Sequence, residues 1–255
     1  MEDKAYYVKS VEKTFDVLRA FGPDHPRLTV SQIAVRSDMT RASARRFLLT
    51  LSDLGYLRAD GSYFELTPRS LEIGSSYLAN LALPRIAERH LKSLAAELNE
   101  TTSLCILDGQ DIVYVACVPS PRLLSVSINV GTRFPAWATS MGRVLLASLP
   151  QPELASYFDA VSLQRFTDRS VGSLDQLRQE VDLARARGWS MVSQELEEGL
   201  RGVAVPVWSG KETVAAVNVS LQTHRAPADA IEKTVVPHLR DAARQIGMDY
   251  GGRVS

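Results

Sequence analysis

The chain has 255 residues, of which 45% are hydrophobic and 23% charged, an ordinary composition for a globular protein with room for two domains. Its 29 basic and 29 acidic side chains give a formal net charge of zero, which excludes a protein that coats nucleic acid through a uniformly basic surface. No apolar run approaches the length of a membrane span, and residues 1–4 show no signal-peptide pattern, so we expect a cytoplasmic protein with no membrane partner.

The first predicted element is a helix over residues 8–21, because apolar residues recur there at helical spacing and Gly22-Pro23 follows as a stop signal. The apolar residues of this face are Val8, Val11, Phe15, Leu18 and Phe21. Arginine is concentrated in the segment that follows. Between Arg27 and Arg58 there are six arginines and two acidic residues, a local surplus of four positive charges in a neutral chain.

Two short helices separated by a break are predicted within this basic segment. Thr29 and Gln32 have the spacing of a capping box, residues 37–39 form a polar break, and Thr40 is a good N-cap for the second helix. The second helix has one apolar stripe, formed by Ala44, Phe47, Leu48, Leu51 and Leu54. Asp60-Gly61 then predicts a β-hairpin within residues 56–66. This order of elements is typical of a winged helix-turn-helix that reads DNA.

The second helix carries small and basic side chains near its start, opposite its apolar stripe. Small residues allow close approach to the bases, and guanidinium groups bind guanine or phosphate. The predicted DNA contacts are Arg41, Ala42, Ser43, Arg45 and Arg46 of this helix and Arg58 of the wing hairpin. The alternative is an amphipathic helix whose arginine face is merely solvated.

Residues 69–83 are mostly apolar and predict a linker helix between a DNA-binding domain, residues 1–68, and a second domain, residues 84–255. The linker helix can pack against a second subunit or against its own chain, and the sequence favours neither.

The second domain combines helices with strands joined mostly by hairpins, so we predict an α+β fold with a roughly six-stranded antiparallel sheet and flanking helices. The predicted strands are residues 103–107, 112–118, 123–130, 189–192, 203–208 and 213–221. The predicted helices begin at Pro84, near Thr139, after Ser173 and near Ile231, with Pro237 a kink or a helix start.

Catalysis is poorly supported by the sequence. The four histidines, His25, His90, His224 and His238, have no ligand-spaced partners, and there is no glycine-rich phosphate loop or serine elbow. Cys105 and Cys117 lie in strand-like runs and are expected to be buried free thiols, with a redox switch as the alternative. We therefore expect neither an enzyme nor a metal or other cofactor.

A binding site for a small molecule needs a concave, largely apolar pocket with a few polar groups, and three places offer them. The candidate residues are Arg133, Trp137, Thr139, Ser140 and Met141 at a helix start, Glu195 in a polar loop over residues 194–202, and Asn218 and Ser220, which alternate with apolar residues in a late strand. At the helix start, unpaired backbone N–H groups favour a carboxylate. Each place, taken singly, is also typical of an ordinary turn or strand.

Five segments together give the chain a clear resemblance to one family. They are residues 8–11 (VKSV), 43–56 (SARRFLLTLSDLGY), 131–147 (GTRFPAWATSMGRVLLA), 198–207 (EGLRGVAVPV) and 215–220 (AAVNVS). The chain resembles the IclR (isocitrate lyase regulator) family of bacterial transcription factors from Val8 to Gly247. The resemblance implies a linker helix that dimerises and a C-terminal effector domain of GAF type. It also implies effector contacts at Ser140, Met141, Asn218 and Ser220, and a dimer or dimer of dimers.

Finer features, in residues 122–127, 135–143 and 199–201, resemble the subgroup that regulates protocatechuate, 4-hydroxybenzoate and β-ketoadipate catabolism. The chain departs from that subgroup at Cys117, where arginine is common, and at Gly202, where serine or a similar residue is common.

The resulting hypothesis is a regulator that binds a palindromic double-stranded operator and responds to a small organic acid, an aromatic acid or a dicarboxylate. The alternatives are an enzyme acting on a small carboxylate with an incidental basic helix, and a DNA-binding protein without a ligand.

Overall fold

Two separately packed units make up the chain, divided between Asn80 and Leu81. The computed structural model describes residues 5–120, 128–225 and 227–254. The elements of the first unit are α1 (Lys9–Arg19), β1 (Arg27–Thr29), α2 (Val30–Arg36), α3 (Arg41–Asp53), β2 (Leu57–Asp60), β3 (Tyr63–Leu66) and α4 (Glu72–Asn80), with a short 3₁₀ turn at Pro68–Leu71 before α4.

Side-chain caps start the two central helices of the first unit, as predicted. The Thr29 hydroxyl accepts the Gln32 backbone N–H at 3.4 Å, and the Gln32 side chain accepts the Thr29 backbone N–H at 2.9 Å. The Thr40 hydroxyl accepts the Ser43 N–H at 3.1 Å and starts α3. Each cap satisfies a backbone donor that the helix itself cannot pair.

The three short strands form an antiparallel sheet in the order β1-β3-β2, so β3 lies between the other two. The predicted wing hairpin is confirmed, with its turn at Gly61 and Ser62, because Asp60 already pairs with Tyr63. Gly61 has φ +60, a left-handed conformation that glycine adopts at no steric cost.

The core of the first unit differs from the predicted apolar faces in two places. Leu54, predicted to lie in the buried stripe of α3, is exposed, because α3 ends at Asp53 and the chain turns away at Gly55. In α1, Val17 is buried, whereas several residues of the predicted apolar face are exposed, namely Val8, Val11 and Phe15. None of the residues of α4 is buried.

The second unit carries the larger sheet. Its elements are α5 (Ala82–Leu98), β4 (Thr101–Asp108), β5 (Asp111–Val118), β6 (Arg133–Pro135), α6 (Ser140–Ser148), α7 (Gln151–Ala160), α8 (Leu174–Arg187), β7 (Ser190–Ser193), β8 (Leu200–Ser209), β9 (Glu212–Gln222), α9 (Ile231–Thr234) and α10 (Val236–Val254), with a short 3₁₀ turn at Ala136–Ala138 before α6. The six strands pair antiparallel in the order β6-β5-β4-β9-β8-β7, which confirms the predicted α+β class.

The two central strands, β8 and β9, have large residues on one face and small or polar residues on the other. Val203, Val205, Val217 and Val219 lie in the hydrophobic core that α5 and α10 complete. Ala204 and Ala216 lie in the second core, which α6 and α8 complete. Because adjacent strand residues point to opposite faces, this alternation leaves more room beneath α6 than beneath α10.

Three predictions for the second unit were wrong or incomplete. The predicted strand 123–130 lies mostly outside the described residues, and residues 128–130 are not strand. Strand β6, which pairs with β5, lies outside all the predicted strands, and Pro135 is tolerated there because β6 is an edge strand. Helix α7 was not predicted. Pro237 is the second residue of α10, which is the predicted helix-start position.

Both cysteines are free thiols, as predicted, but only Cys105 is buried, and Cys117 is half-buried. Burial raises the pKa of the Cys105 thiol well above its usual range, which keeps it protonated and unreactive. Among the described residues, no helix is both long and apolar enough to cross a membrane.

Candidate functional site

The predicted DNA contacts of the second helix come together on the outer face of α3. Ala44, Leu48 and Leu51 turn into the core of the first unit and fix the orientation of the helix. The opposite face presents four exposed side chains, those of Arg41, Ala42, Arg45 and Arg46, with Ser43 half-buried. Among the described residues, none of these three arginines forms an ion pair, so their charges face solvent.

Arg58, the sixth predicted DNA contact, lies on β2 of the wing and is already paired. Its Nε donates to Glu65 Oε1 at 2.7 Å, and its Nη2 also contacts that oxygen. The sequence analysis counted charges only between Arg27 and Arg58, so it missed Glu65 as a neutralising partner. Arg58 is thus exposed but differs electrostatically from the arginines of α3.

In the second unit, a cavity lies between the start of α6, the central strands and the loop between β7 and β8. Its empty volume, which includes space open to solvent, is about 460 Å³. Six predicted effector contacts line it, namely Thr139, Ser140, Met141, Glu195, Asn218 and Ser220. The structure therefore brings together residues from three separate segments of the chain.

The first turn of α6 borders this cavity, and Ser140 and Met141 line it. The Thr139 hydroxyl accepts the Gly142 N–H at 3.0 Å, which leaves the N–H groups of Ser140 and Met141 in the unpaired first turn. Such groups, with the helix dipole, attract an anion. A Cβ on Gly142 would lie 2.0 Å from the backbone oxygen of Ala136, so only glycine lets α6 begin against this turn.

Asn218 and Ser220 form the floor of the cavity on one face of β9. The Asn218 Nδ2 donates to the Ser220 hydroxyl at 3.1 Å. Asn218 is only 3% exposed, and its Oδ1 has no hydrogen-bond partner among the described residues. A buried carbonyl oxygen without a donor is costly, so this atom is ready to accept a hydrogen bond from a molecule in the cavity.

Gly202 lies in the interior of β8, beside Ser220 in the sheet. A Cβ at this position would be 2.8 Å from the Ser140 hydroxyl oxygen and 3.9 Å from Asn218 Nδ2. Glycine weakens a strand interior and often marks a place where another group approaches closely. Because Gly202 has no side chain, the start of α6 can lie close to the sheet, and the floor of the cavity stays open.

Glu195 lines the cavity, but its carboxylate is held from behind by Arg143, a residue that the sequence analysis did not select. The Arg143 side chain is 1% exposed; its Nη2 lies 2.7 Å from Glu195 Oε2, and its Nε donates to the Trp137 carbonyl at 3.1 Å. Glu195 Oε2 also accepts the Val171 N–H at 3.1 Å. The sequence signal that could have identified Arg143 is its place within the otherwise apolar run of α6. A charged residue in such a place is buried only when it is paired.

Two predicted effector contacts do not line the cavity. The Arg133 guanidinium lies 2.7 Å from Asp108 and 3.2 Å from Asp111 at the β4–β5 turn, and these acids, Asp108 most, raise its pKa. Its place on the edge strand β6 directs it to that turn. Trp137 is buried and stacks on Phe166 with ring centroids 5.6 Å apart.

Two aromatic residues that the sequence analysis did not select form one wall of the cavity. Tyr114 of β5 and Phe134 of β6 line it and meet edge to face, with centroids 6.0 Å apart. Burial raises the pKa of the Tyr114 phenol well above its usual range, so the ring is neutral at physiological pH. The only charged residues among the described lining residues are Glu195 and Glu197, so the described wall supplies no cation.

Family models match nearly the whole chain. The model of the IclR helix-turn-helix domain matches residues 10–61, and that of the C-terminal domain of bacterial IclR transcriptional regulators matches residues 75–248. The chain belongs to the IclR family.

Two relatives of known role agree with the predicted subgroup of this IclR-family protein. The Pca regulon regulatory protein of Pseudomonas putida is 36% identical over 242 residues, covering 94% of this chain and 83% of that protein. The p-hydroxybenzoate hydroxylase transcriptional activator of Acinetobacter baylyi is 36% identical over 246 residues, covering 94% and 91%. The chain is accordingly a DNA-binding transcriptional regulator and not an enzyme.

Solved structures of the family share the fold. The structure of a candidate transcriptional regulator from Rhodococcus sp. RHA1 has a TM-score of 0.83 at 46% identity. The match covers 98% of this chain and 100% of that one. An IclR homologue from Microbacterium hydrocarbonoxydans, crystallised with 4-hydroxybenzoate, has a TM-score of 0.80 at 24% identity, covering 96% and 99%.

The close contact at Gly142 gives a test of how the cavity is built. We expect Gly142→Ala to lower the stability by about 1–3 kcal/mol, because the new methyl group would overlap the backbone of Ala136. The melting temperature should fall by roughly 2–12 °C in a calorimetric scan. Gly172→Ala is the matched control, since a Cβ there meets nothing within 4 Å. Equal melting temperatures for the two variants would contradict the packing argument.

Proposed function

We propose that this regulator binds a palindromic operator as a homodimer or dimer of dimers, and that a small organic acid in the α6 cavity modulates that binding. The working domain limits are residues 1–68 for DNA binding, 69–83 for the linker helix and 84–255 for the effector. The effector is an aromatic acid or a dicarboxylate of aromatic catabolism. DNA binding assigns the protein to the cytoplasm.

Exposed apolar side chains in the first unit support a dimer. Tyr7, Val11 and Phe15 on and before α1, and Ile73 and Tyr77 on α4, are all exposed, although such residues are normally covered. A second copy would cover them and would bring two copies of α3 to the two halves of a palindrome, because the symmetry of a dimeric reader is mirrored in its site.

The observation that carries the effector proposal is the unpartnered Asn218 Oδ1 in the floor of the cavity. A ligand with a hydroxyl group would satisfy it, whereas a purely apolar ligand would leave it unpaired. The aromatic wall of Tyr114 and Phe134 suits a ring, and the first turn of α6 suits a carboxylate. Hydroxylated aromatic acids combine all three features.

This pose omits two of the candidate effector contacts, Arg133 and Trp137. The N–H groups of Ser140 and Met141 hold the carboxylate, and Tyr114 and Phe134 flank the ring. Glu195 shapes the cavity through its contact with Arg143. The acid can change operator binding only if it binds more tightly to one arrangement of the dimer than to another.

Arg46→Ala tests the reading surface. An operator is first selected from a random-sequence duplex library with the unmodified protein. If Arg46 reads a base, the variant should lose about 1–3 kcal/mol of operator binding and relax the preference at one position, whereas a phosphate contact would weaken all sequences equally. Arg85→Ala on α5, also exposed, is the control. Operator affinity equal to that of the control, at matched salt, would contradict the assignment of α3.

Asn218→Leu tests the ligand site by thermal shift against protocatechuate, 4-hydroxybenzoate, β-ketoadipate and pyruvate. A ligand at about 100 times its Kd stabilises the native protein by roughly 2.7 kcal/mol, so at least one compound should raise the melting temperature of the unmodified protein by several degrees. The rise should be lost in Asn218→Leu, while operator binding is retained.

Gly202→Val is an independent second variant, because its side chain would fill the same space from β8. A full thermal response in both variants would remove the cavity from the proposal. No response of the unmodified protein to any compound, together with flat calorimetric titrations, would favour a regulator without a small-molecule effector of this class.

A further inference from the structure

The wing carries an ordered set of ion pairs that spans all three of its strands. Glu65 lies on the middle strand β3 and is in register with Arg27 of β1 on one side and Arg58 of β2 on the other. Glu65 Oε1 accepts Arg58 Nε at 2.7 Å, and Glu65 Oε2 lies 3.7 Å from Arg27 Nε. Each arginine of the wing sheet therefore faces a carboxylate.

A second acid completes this set. Asp60 at the end of β2 contacts the Arg27 guanidinium, which also lies over the Tyr63 ring at 5.3 Å from its centroid. Arg27, Arg58, Asp60 and Glu65 have a summed formal charge of zero. The wing sheet is thus electrostatically balanced, whereas the arginines of α3 have no carboxylate partner within the described part of the chain.

The two acids occupy the donors that a phosphate would use. Arg58 is 73% exposed in its side chain, so solvent and DNA can reach it, but the Nε and Nη2 donors both point at Glu65. The side chain of Glu65 is 22% exposed, which holds its carboxylate in place between the strands. A phosphate contact by Arg58 must compete with this preformed partner.

We propose that Asp60 and Glu65 limit the affinity of the wing for the phosphate backbone and thereby raise the specificity of this regulator. Phosphate contacts strengthen binding to any sequence, whereas base contacts favour the operator. By keeping Arg27 and Arg58 paired, the acids lower binding to non-operator DNA and leave the arginines of α3 to supply most of the charged contact.

The test measures binding to a random-sequence duplex of about 20–30 bp by fluorescence anisotropy, over about 50–200 mM salt. Glu65→Gln should bind this duplex roughly two to five times more tightly at the low-salt end, because Arg58 becomes available to a phosphate. The slope of log affinity against log salt should steepen by about 0.9, the value for one added phosphate contact. Unchanged affinity and slope would overturn the proposal.

A double-variant cycle separates release of Arg58 from simple loss of a negative charge. Arg58→Gln alone should change binding little, and in the Glu65→Gln background it should cancel the gain. Asp53→Asn, at the exposed end of α3, removes an acid that has no arginine partner in the described structure, and it should leave the salt slope unchanged. A gain that persists without Arg58, or an equal gain in Asp53→Asn, would overturn the proposal.

Asp60→Asn provides a second route if Glu65→Gln perturbs the wing. Asp60 is 67% exposed in its side chain, so its replacement costs little packing. It should free the Arg27 Nη2 donor that contacts Asp60, although Arg27 Nε still faces Glu65, and produce the same direction of change in affinity and slope. A lack of change in this variant, with an unchanged circular dichroism spectrum, would count equally against the proposal.

Discussion

The buried guanidinium of Arg143 is the constraint on which the effector unit depends. A cation inside a protein is costly unless it is paired and hydrogen-bonded, and Arg143 meets this demand with three partners. They are the Trp137 carbonyl in the turn before α6, Glu195 in the loop after β7, and Glu180 on α8, 3.5 Å away. One side chain thus joins the turn before α6 to the loop after β7, and both of these segments contribute residues to the cavity wall.

The sheet beneath supplies the other half of the arrangement. In β8 and β9, valines fill one face, and glycine, alanine, asparagine and serine occupy the other, so the second face carries smaller side chains. Helix α6 lies close to this second face because Gly142 and Gly202 have no side chains. The remaining gap is floored by Asn218, whose unpaired carbonyl oxygen distinguishes this cavity from an ordinary packing defect.

The first unit follows a different logic, in which charge placement matters more than volume. The two arginine sets, one on α3 and one on the wing sheet, lie within one small unit, but only the wing arginines have carboxylate partners in the described structure. The net charge of zero for the whole chain conceals this distinction. Register across β1, β3 and β2, rather than composition, decides which arginines face solvent unpaired.

Local signals in the sequence predicted much of this fold. Thr29, Thr40 and Ser173 start helices as predicted, because a cap depends on residues within one turn. Asn218 and Ser220 of β9 were also selected from local information, because their alternation with apolar residues can be read from the sequence alone.

Features that depend on distant partners could not be read in this way. Arg133 was a candidate effector contact, but its position on β6 brings it to Asp108 and Asp111. The pairing of Arg143 with Glu195 joins residues 52 positions apart. Strand β6, at Arg133–Pro135, was not predicted, because this short edge segment owes its strand character to pairing with β5 rather than to its own composition.

The central claim is that the wall held by Arg143 confines an organic acid against Asn218, and a crystal structure of the protein with bound ligand tests it most directly. Crystals would be grown with whichever aromatic acid most raises the melting temperature. We expect density for the acid between the first turn of α6 and Asn218, with a donor group at Asn218 Oδ1 and Glu195 still bound to Arg143. Density elsewhere in the molecule, or a Glu195 that has left Arg143 to bind the ligand, would contradict the claim.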